Sequence, residues 1–472
     1  MDDYENYDGL GLAELVRDGE TSAGELLDAA IERTEKRDGE LGAIVLRSYD
    51  AARAAIEAGL PDGPFAGVPF LLKDLHLSTP GETLTNGSNL FASYVPEEES
   101  ELVTRYRGAG LVIYGRTHSP EFGLTCTTES RLHGVTRNPW NPAHTSGGSS
   151  GGASTAVSAG YLPLANASDG GGSIRIPAAC CGLFGIKPTR GRTPLGPQNG
   201  EGWGGMSCVH AVTRSVRDSA ALLDATAGPD VGAPYAAQPP ERPFLEEVGA
   251  DPGQLRIALQ TETFNGQPTH PECAAAARDA ATLCESLGHV VEEVAFTPDD
   301  ALRDATLTIM SANVRASMED RAAALGRELT PDDVESGTWG LSSISGHRTS
   351  LDYARSIRVI HAAGRALARH QERYDVVLTP TMGTLPPEIG VLSLSHPNPA
   401  EAKTTLLQTV GFTQLANATG SPAASVPLSW STSGLPIGVQ LMGRIQDEAT
   451  LFRLSAQLEA ARPWFDRRPG TV

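Results

Sequence analysis

Apolar positions along this chain follow two different periods, and the switches between them mark its elements. Leu26, Leu27, Ala30 and Ile31 recur at helical spacing behind Ser22-Ala-Gly-Glu25, whose serine and glutamate stand where a capping box needs them. An N-terminal helical layer is predicted there. The unbroken apolar run Val68-Pro-Phe-Leu-Leu72 predicts a buried strand, residues 101–107 a helix stopped near Gly108 and Gly110, and residues 111–114 the next strand. A short helix over 153–159 ends at Gly160, and strand 255–259, helix 272–287 and strand 289–294 repeat the alternation. Residues 228–253, rich in Pro, Ala and Gly, read as an irregular connection, followed by two long helices at 301–326 and 350–374 with no strand between them, a candidate lid. Strands at 376–378, 423–427 and 437–441, a turn at Ser433-Gly434 and a helix over 448–459 close the chain. Such alternation predicts an α/β fold on a covered, parallel or mixed sheet.

Charge narrows the function. The 472 residues carry 57 acidic and 37 basic side chains, a formal charge of −20, which argues against a sequence-independent grip on nucleic acid. The first twenty residues have no basic segment leading into an apolar run, and nowhere do about eighteen apolar residues occur together. Neither a secretory leader nor a membrane span is expected. Six cysteines, none in a CxxC pair, are too sparse for a disulfide framework, so a cytoplasmic protein with inert thiols is expected, Cys180 and Cys181 included.

Candidate chemistry concentrates in Thr145-Ser-Gly-Gly-Ser-Ser-Gly-Gly152 and Ser168-Asp-Gly-Gly-Gly-Ser-Ile-Arg-Ile-Pro177. Glycine has a conformational cost, so two such clusters imply backbone that adopts positive φ, approaches something closely, or presents amides to negative charge. A flexible linker would not be bounded by Ile174, Ile176, Leu183 and Phe184, and neither segment fits a phosphate-binding fingerprint. Successive amides over Gly170, Gly171, Gly172 and Ser173 suit an oxyanion hole beside a nucleophilic serine, which in turn requires a base.

These clusters, with Gly67-Val-Pro-Phe-Leu-Leu-Lys-Asp74, Asn138-Pro-Trp-Asn141, Gly185-Ile-Lys-Pro-Thr-Arg-Gly191 and Gly434-Leu-Pro-Ile-Gly-Val-Gln440, resemble the amidase signature family in order and spacing along nearly the whole chain. The resemblance implies one unit over residues 1–472, an α/β/α fold around a large twisted mixed sheet, with a helical layer over 1–65 and a helical cover over about 300–374. It implies a Ser-Ser-Lys triad: Lys73, Ser149 after a cis peptide bond, and Ser173, with Ser149 chosen over Ser150 because it lies 24 residues before Ser173. Lysine is a poor base at its ordinary pKa near 10.4, but burial beside Phe70, Leu71 and Leu72 would lower it. Ser149 would relay the Ser173 proton to Lys73, and Ser150 would donate a supporting hydrogen bond to the lysine. Asp169 and Arg175 are assigned loop-holding roles. Thr128, Glu129, Trp203, Met310 and Trp339 are pocket candidates, and Gly170, where a larger residue is frequent in the family, is expected to widen the site.

The implied activity is hydrolysis of small or medium, uncharged amides, with carbamates and esters admitted; no cofactor, metal, nucleic acid or membrane is called for, and a homodimer is admitted. Thr127-Thr-Glu129, Thr136-Arg-Asn-Pro-Trp140 and Leu329-Thr-Pro-Asp-Asp333 resemble the family branch containing 6-aminohexanoate cyclic-dimer hydrolases. The competing readings are the glutaminase subunit of a tRNA-dependent amidotransferase, which usually carries Gln where Ile176 stands, and a catalytically inactive scaffold, which the three triad residues oppose.

Overall fold

The computed structural model describes residues 3–470, so the two residues at each end of the 1–472 unit lie outside the described residues. Strands β1 (Ile44–Arg47), β2 (Pro69–Lys73) and β3 (Val112–Thr117) form one sheet in the order β1-β3-β2. A second sheet comprises β4 (Leu164–Asp169), β5 (Phe184–Lys187), β6 (Cys208–Thr213), β7 (Arg256–Leu259), β8 (Val290–Glu293), β9 (Val376–Pro380), β10 (Ala423–Trp430) and β11 (Pro436–Gly443). Its order is β8-β7-β9-β11-β10-β5-β6-β4. It is mixed: β7 runs parallel to β8 and β9, and the other pairings are antiparallel.

Helices cover this sheet on both faces because its strands alternate cleanly. Ile257, Leu259, Val376, Leu378 and Leu441 enter one core, against helices over Val216–Thr226, Pro271–Ser286 and Glu448–Ala461. Their neighbours Ala258, Val377 and Met442 enter the opposite core, against helices α1 (Ala301–Ala324), α2 (Ser350–His370) and α3 (Gln414–Thr419). Each fully buried Leu, Ile or Phe contributes roughly 1.5–3 kcal/mol. The α1 and α2 ranges agree with the two long helices read from the sequence. At the N-terminus, Ser22 Oγ accepts the Glu25 amide at 3.2 Å while the Glu25 carboxylate accepts the Ser22 amide at 2.8 Å, completing the capping box. No helix among the described residues is long and apolar enough to cross a membrane.

The two sheets meet where β2 runs beside β4 without sharing a backbone ladder among the described residues. A side chain bridges them instead: Asn166 Oδ1 accepts from the Lys73 amide at 3.1 Å, and Asn166 Nδ2 donates to Tyr106 Oη and the His210 carbonyl, both at 3.1 Å. This junction carries Lys73, the candidate base.

Candidate active site

Lys73 ends β2, and its side chain is fully buried, as are Phe70, Leu71 and Leu72 before it. Successive strand residues face opposite ways. Asp74 accordingly turns from the lysine, accepting the Thr85 amide at 2.9 Å and lying 3.8 Å from His133 Nε2. Lys73 Nζ meets three hydroxyls instead: Ser149 Oγ at 2.7 Å, Ser150 Oγ at 2.9 Å and Ser168 Oγ at 3.0 Å. Burial pushes the Lys73 pKa down to about 7, offset in part by the charge of Asp169. An ammonium has three protons for these three oxygens, whereas the neutral amine turns a lone pair toward one of them.

The first glycine cluster delivers Ser149 through a cis Gly148–Ser149 peptide bond. The next helix starts at Gly151, two residues earlier than predicted, and its first two positions are glycine where a Cβ would run into Thr128 or the His118 backbone. Ser150 takes the reverse of its expected hydrogen-bond role: it accepts from Lys73 and donates to the Ser168 carbonyl at 3.2 Å. Ser168 was missed by the sequence reading. Asn166 and Ser168 are polar positions two apart on an otherwise largely apolar buried strand, and that spacing was the available signal.

Ser173 is half-buried and reaches a cavity of about 480 Å³, whereas Ser149 is buried behind it. No hydrogen bond joins the two hydroxyls among the described residues, so Lys73–Ser149 is formed and Ser149–Ser173 is not. Such contacts often tighten only around bound substrate.

Asp169 and Arg175 hold the second cluster. The fully buried guanidinium pairs with both carboxylate oxygens at 2.9 Å and also donates to the Thr413 carbonyl at 2.9 Å, Gln440 Oε1 at 2.7 Å and Asn417 Oδ1 at 2.7 Å. Burial alone would raise the Asp169 pKa, but Arg175 and the Asn417 amide hold it well below the usual carboxylate range. The carboxylate also accepts the Gly172 amide at 2.7 Å and the Ile174 amide at 3.2 Å. Gly172 therefore leaves the expected oxyanion set: its N–H is spent on Asp169, while those of Gly170, Gly171 and Ser173 have no protein acceptor among the described residues.

The cavity is walled by α1, by residues 336–344 and 392–396, and by a helix over Pro399–Thr409. Trp203 and Met310 lie on it; Thr128, Glu129 and Trp339 do not. Thr128 Oγ1 instead clamps the first glycine cluster, donating to the Gly147 carbonyl at 2.9 Å and accepting the Gly151 amide at 3.0 Å. Glu129 accepts Thr127 Oγ1 at 2.6 Å and the Gly390 amide at 3.1 Å, and Trp339 packs under the Arg315 guanidinium at 5.2 Å. The sequence reading also passed over the wall formed by Lys403, Leu406, Leu407 and Val410, although their helical spacing marks one face, and over Gln414 at the start of α3. Nor does Gly170 leave open room, since the Trp203 ring packs over it.

A covered mixed sheet with a buried lysine among serine hydroxyls, beside a cavity lined by Gly171 and Ser173, is an arrangement that can support hydrolytic chemistry on a serine. The chain belongs to the amidase family, whose model matches residues 25–452, and is an amidohydrolase acting on C–N bonds. It is 38% identical over 476 residues to 6-aminohexanoate-cyclic-dimer hydrolase of Paenarthrobacter ureafaciens, covering 98% of this chain and 96% of that one. A solved structure of 6-aminohexanoate cyclic dimer hydrolase complexed with substrate matches with a TM-score of 0.93 at 37% identity, covering 99% of both chains. A bacterial aryl acylamidase of the amidase signature enzymes matches with a TM-score of 0.89 at 27% identity over 98% of each chain.

Proposed function

We propose that this chain hydrolyses small or medium amides through an acyl-enzyme on Ser173. The single observation carrying this reading is Lys73: a buried amine with its pKa lowered to about 7, bonded to hydroxyls and to no carboxylate. In its neutral form it accepts a proton from Ser149, which takes the one Ser173 releases as its Oγ attacks the carbonyl. The Gly170, Gly171 and Ser173 amides stabilise the tetrahedral oxyanion, each donor being worth about 10²–10³ in rate. The relay then returns its proton to the departing nitrogen, and water repeats the sequence on the ester. The apolar cavity, and relatives named for a cyclic amide dimer and for aryl acylamides, favour linear or cyclic amides and anilides. Six free, buried cysteines suit a reducing cytoplasm, and the helices over about 300–374 serve as the cover of the site.

The test is amine release from a short linear amide, an anilide, a cyclic 6-aminohexanoate dimer, a carbamate and glutamine, by the purified chain and by Ser173→Ala. Release from one or more amides, reduced in Ser173→Ala by on the order of 10⁵–10⁶ in kcat, is expected. Release from glutamine alone, or release indifferent to the substitution, overturns the reading.

A further inference from the structure

Gly170 adopts no backbone conformation that requires glycine, since its φ lies outside the left-handed region. What excludes a side chain there is Trp203: a Cβ on Gly170 would lie 2.7 Å from Cζ3 and 2.8 Å from Cε3 of the indole. The backbone that carries that ring is held in place. Trp203 starts a run of left-handed residues, with φ of 53° followed by 65° at Gly204 and 79° at Gly205, and the turn is closed by the Met206 amide on the Trp203 carbonyl at 3.3 Å. Behind the turn, Ile309 of α1 and Ile357 of α2 approach Gly204 so closely that a Cβ there would stand 3.1 Å from each. A tryptophan in the left-handed region is a strained choice, and such residues gather at functional sites. The indole meanwhile forms part of the same cavity wall as Gly171 and Ser173, beside Met310.

We infer that Trp203, rather than the residue at position 170, sets the width of the site at the nucleophile loop, and that the chain selects amides unbranched next to the scissile carbonyl. The inference rests on the amidase reading above and adds its substrate class. An indole over the residue three before the nucleophile takes up the room that a second substituent on the carbon bonded to the carbonyl would need. Linear or flat groups can lie along the indole face. Glycine at 170 is then the counterpart of this tryptophan, and the two positions act as a unit.

The experiment is a cycle of Gly170→Ala, Trp203→Ala and the double variant, read on anilides of a linear acid and of an acid branched beside the carbonyl. Gly170→Ala alone is expected to lower kcat/KM on the linear anilide by about tenfold or more, and by less than about twofold in the Trp203→Ala background. Trp203→Ala is expected to raise the branched-to-linear ratio of kcat/KM by about tenfold or more. Equal losses from Gly170→Ala in both backgrounds, or an unchanged ratio, overturn the inference. Thermal midpoints of the same four proteins give a second readout that needs no turnover: Gly170→Ala should lower the midpoint, and Trp203→Ala should relieve that drop. Wild-type chain that releases no amine but shows this rescue sinks the amidase reading while leaving the Gly170–Trp203 coupling standing. Active wild type with no coupling in either readout sinks this inference alone.

Discussion

Two lysines among the described residues are wholly buried, and their surroundings are opposites. Lys73, at the end of β2, sits among the hydroxyls of Ser149, Ser150 and Ser168, one residue layer behind the cavity. Lys187, at the end of β5, donates to the Pro188 carbonyl at 2.7 Å and lies 3.8 Å from Cys208 Sγ, off the cavity wall. Burial pushes both pKa values down. A lowered pKa therefore makes an available base of neither by itself. What distinguishes Lys73 is its hydroxyl partners, which carry exchangeable protons and on the proposed reading pass one to the amine, whereas a carbonyl oxygen has no proton to pass on.

The largest expected effect breaks the comparison on the Lys73 side. Lys73→Ala should lower amide hydrolysis by about 10²–10⁴ in kcat, the usual contribution of a positioned acid–base group, and should lower hydrolysis of a matched ester less. The amine leaving group depends on a returned proton more than an alkoxide does, so equal losses on the two substrates would count against proton delivery by this residue. Next comes the pH profile. Protonated Lys73 cannot accept a proton and its pKa is about 7, so kcat/KM should fall about tenfold per unit below that point and level off above it. A rate that stays flat from pH 5 to pH 9, with chemistry limiting, would contradict the assignment. The smallest effect tests the other lysine. Lys187→Met should leave kcat/KM and the position of that limb in place, and should destabilise the fold by about 1–3 kcal/mol because the Pro188 carbonyl loses its buried donor. Chemical denaturation measures the second part, and a displaced limb would show that the two lysines are not separable.

Much of this arrangement was legible in the sequence, for definite physical reasons. Strands such as 255–259 and 376–378 show because each alternates between two cores, and the capping box over Ser22 and Glu25 shows because its chemistry is local. Lys73 and Ser149 are placed by motif order, and the fold brings them to 2.7 Å. What stayed hidden depends on contacts between distant segments. Thr128 and Glu129 stand next to each other in a site-like phrase, yet their partners, Gly147 and Gly390, turn them into loop clamps. Gly170 read as open space because nothing local announces an indole arriving from residue 203. The spending of the Gly172 amide on Asp169 was likewise invisible, since four consecutive N–H groups look equivalent until a carboxylate takes one of them.

Asn166 has a consequence for how such a site tolerates change. Its carboxamide resembles a detached peptide group on a single-methylene stem, with one oxygen that accepts and an NH2 that donates twice, standing where a neighbouring strand would have offered its own backbone. The Lys73 backbone is thereby tied to the second sheet through one side chain rather than through a ladder with a fixed repeat. The joint between the sheets rests on a single carboxamide, so a change at position 166 would be felt by both sheets at once.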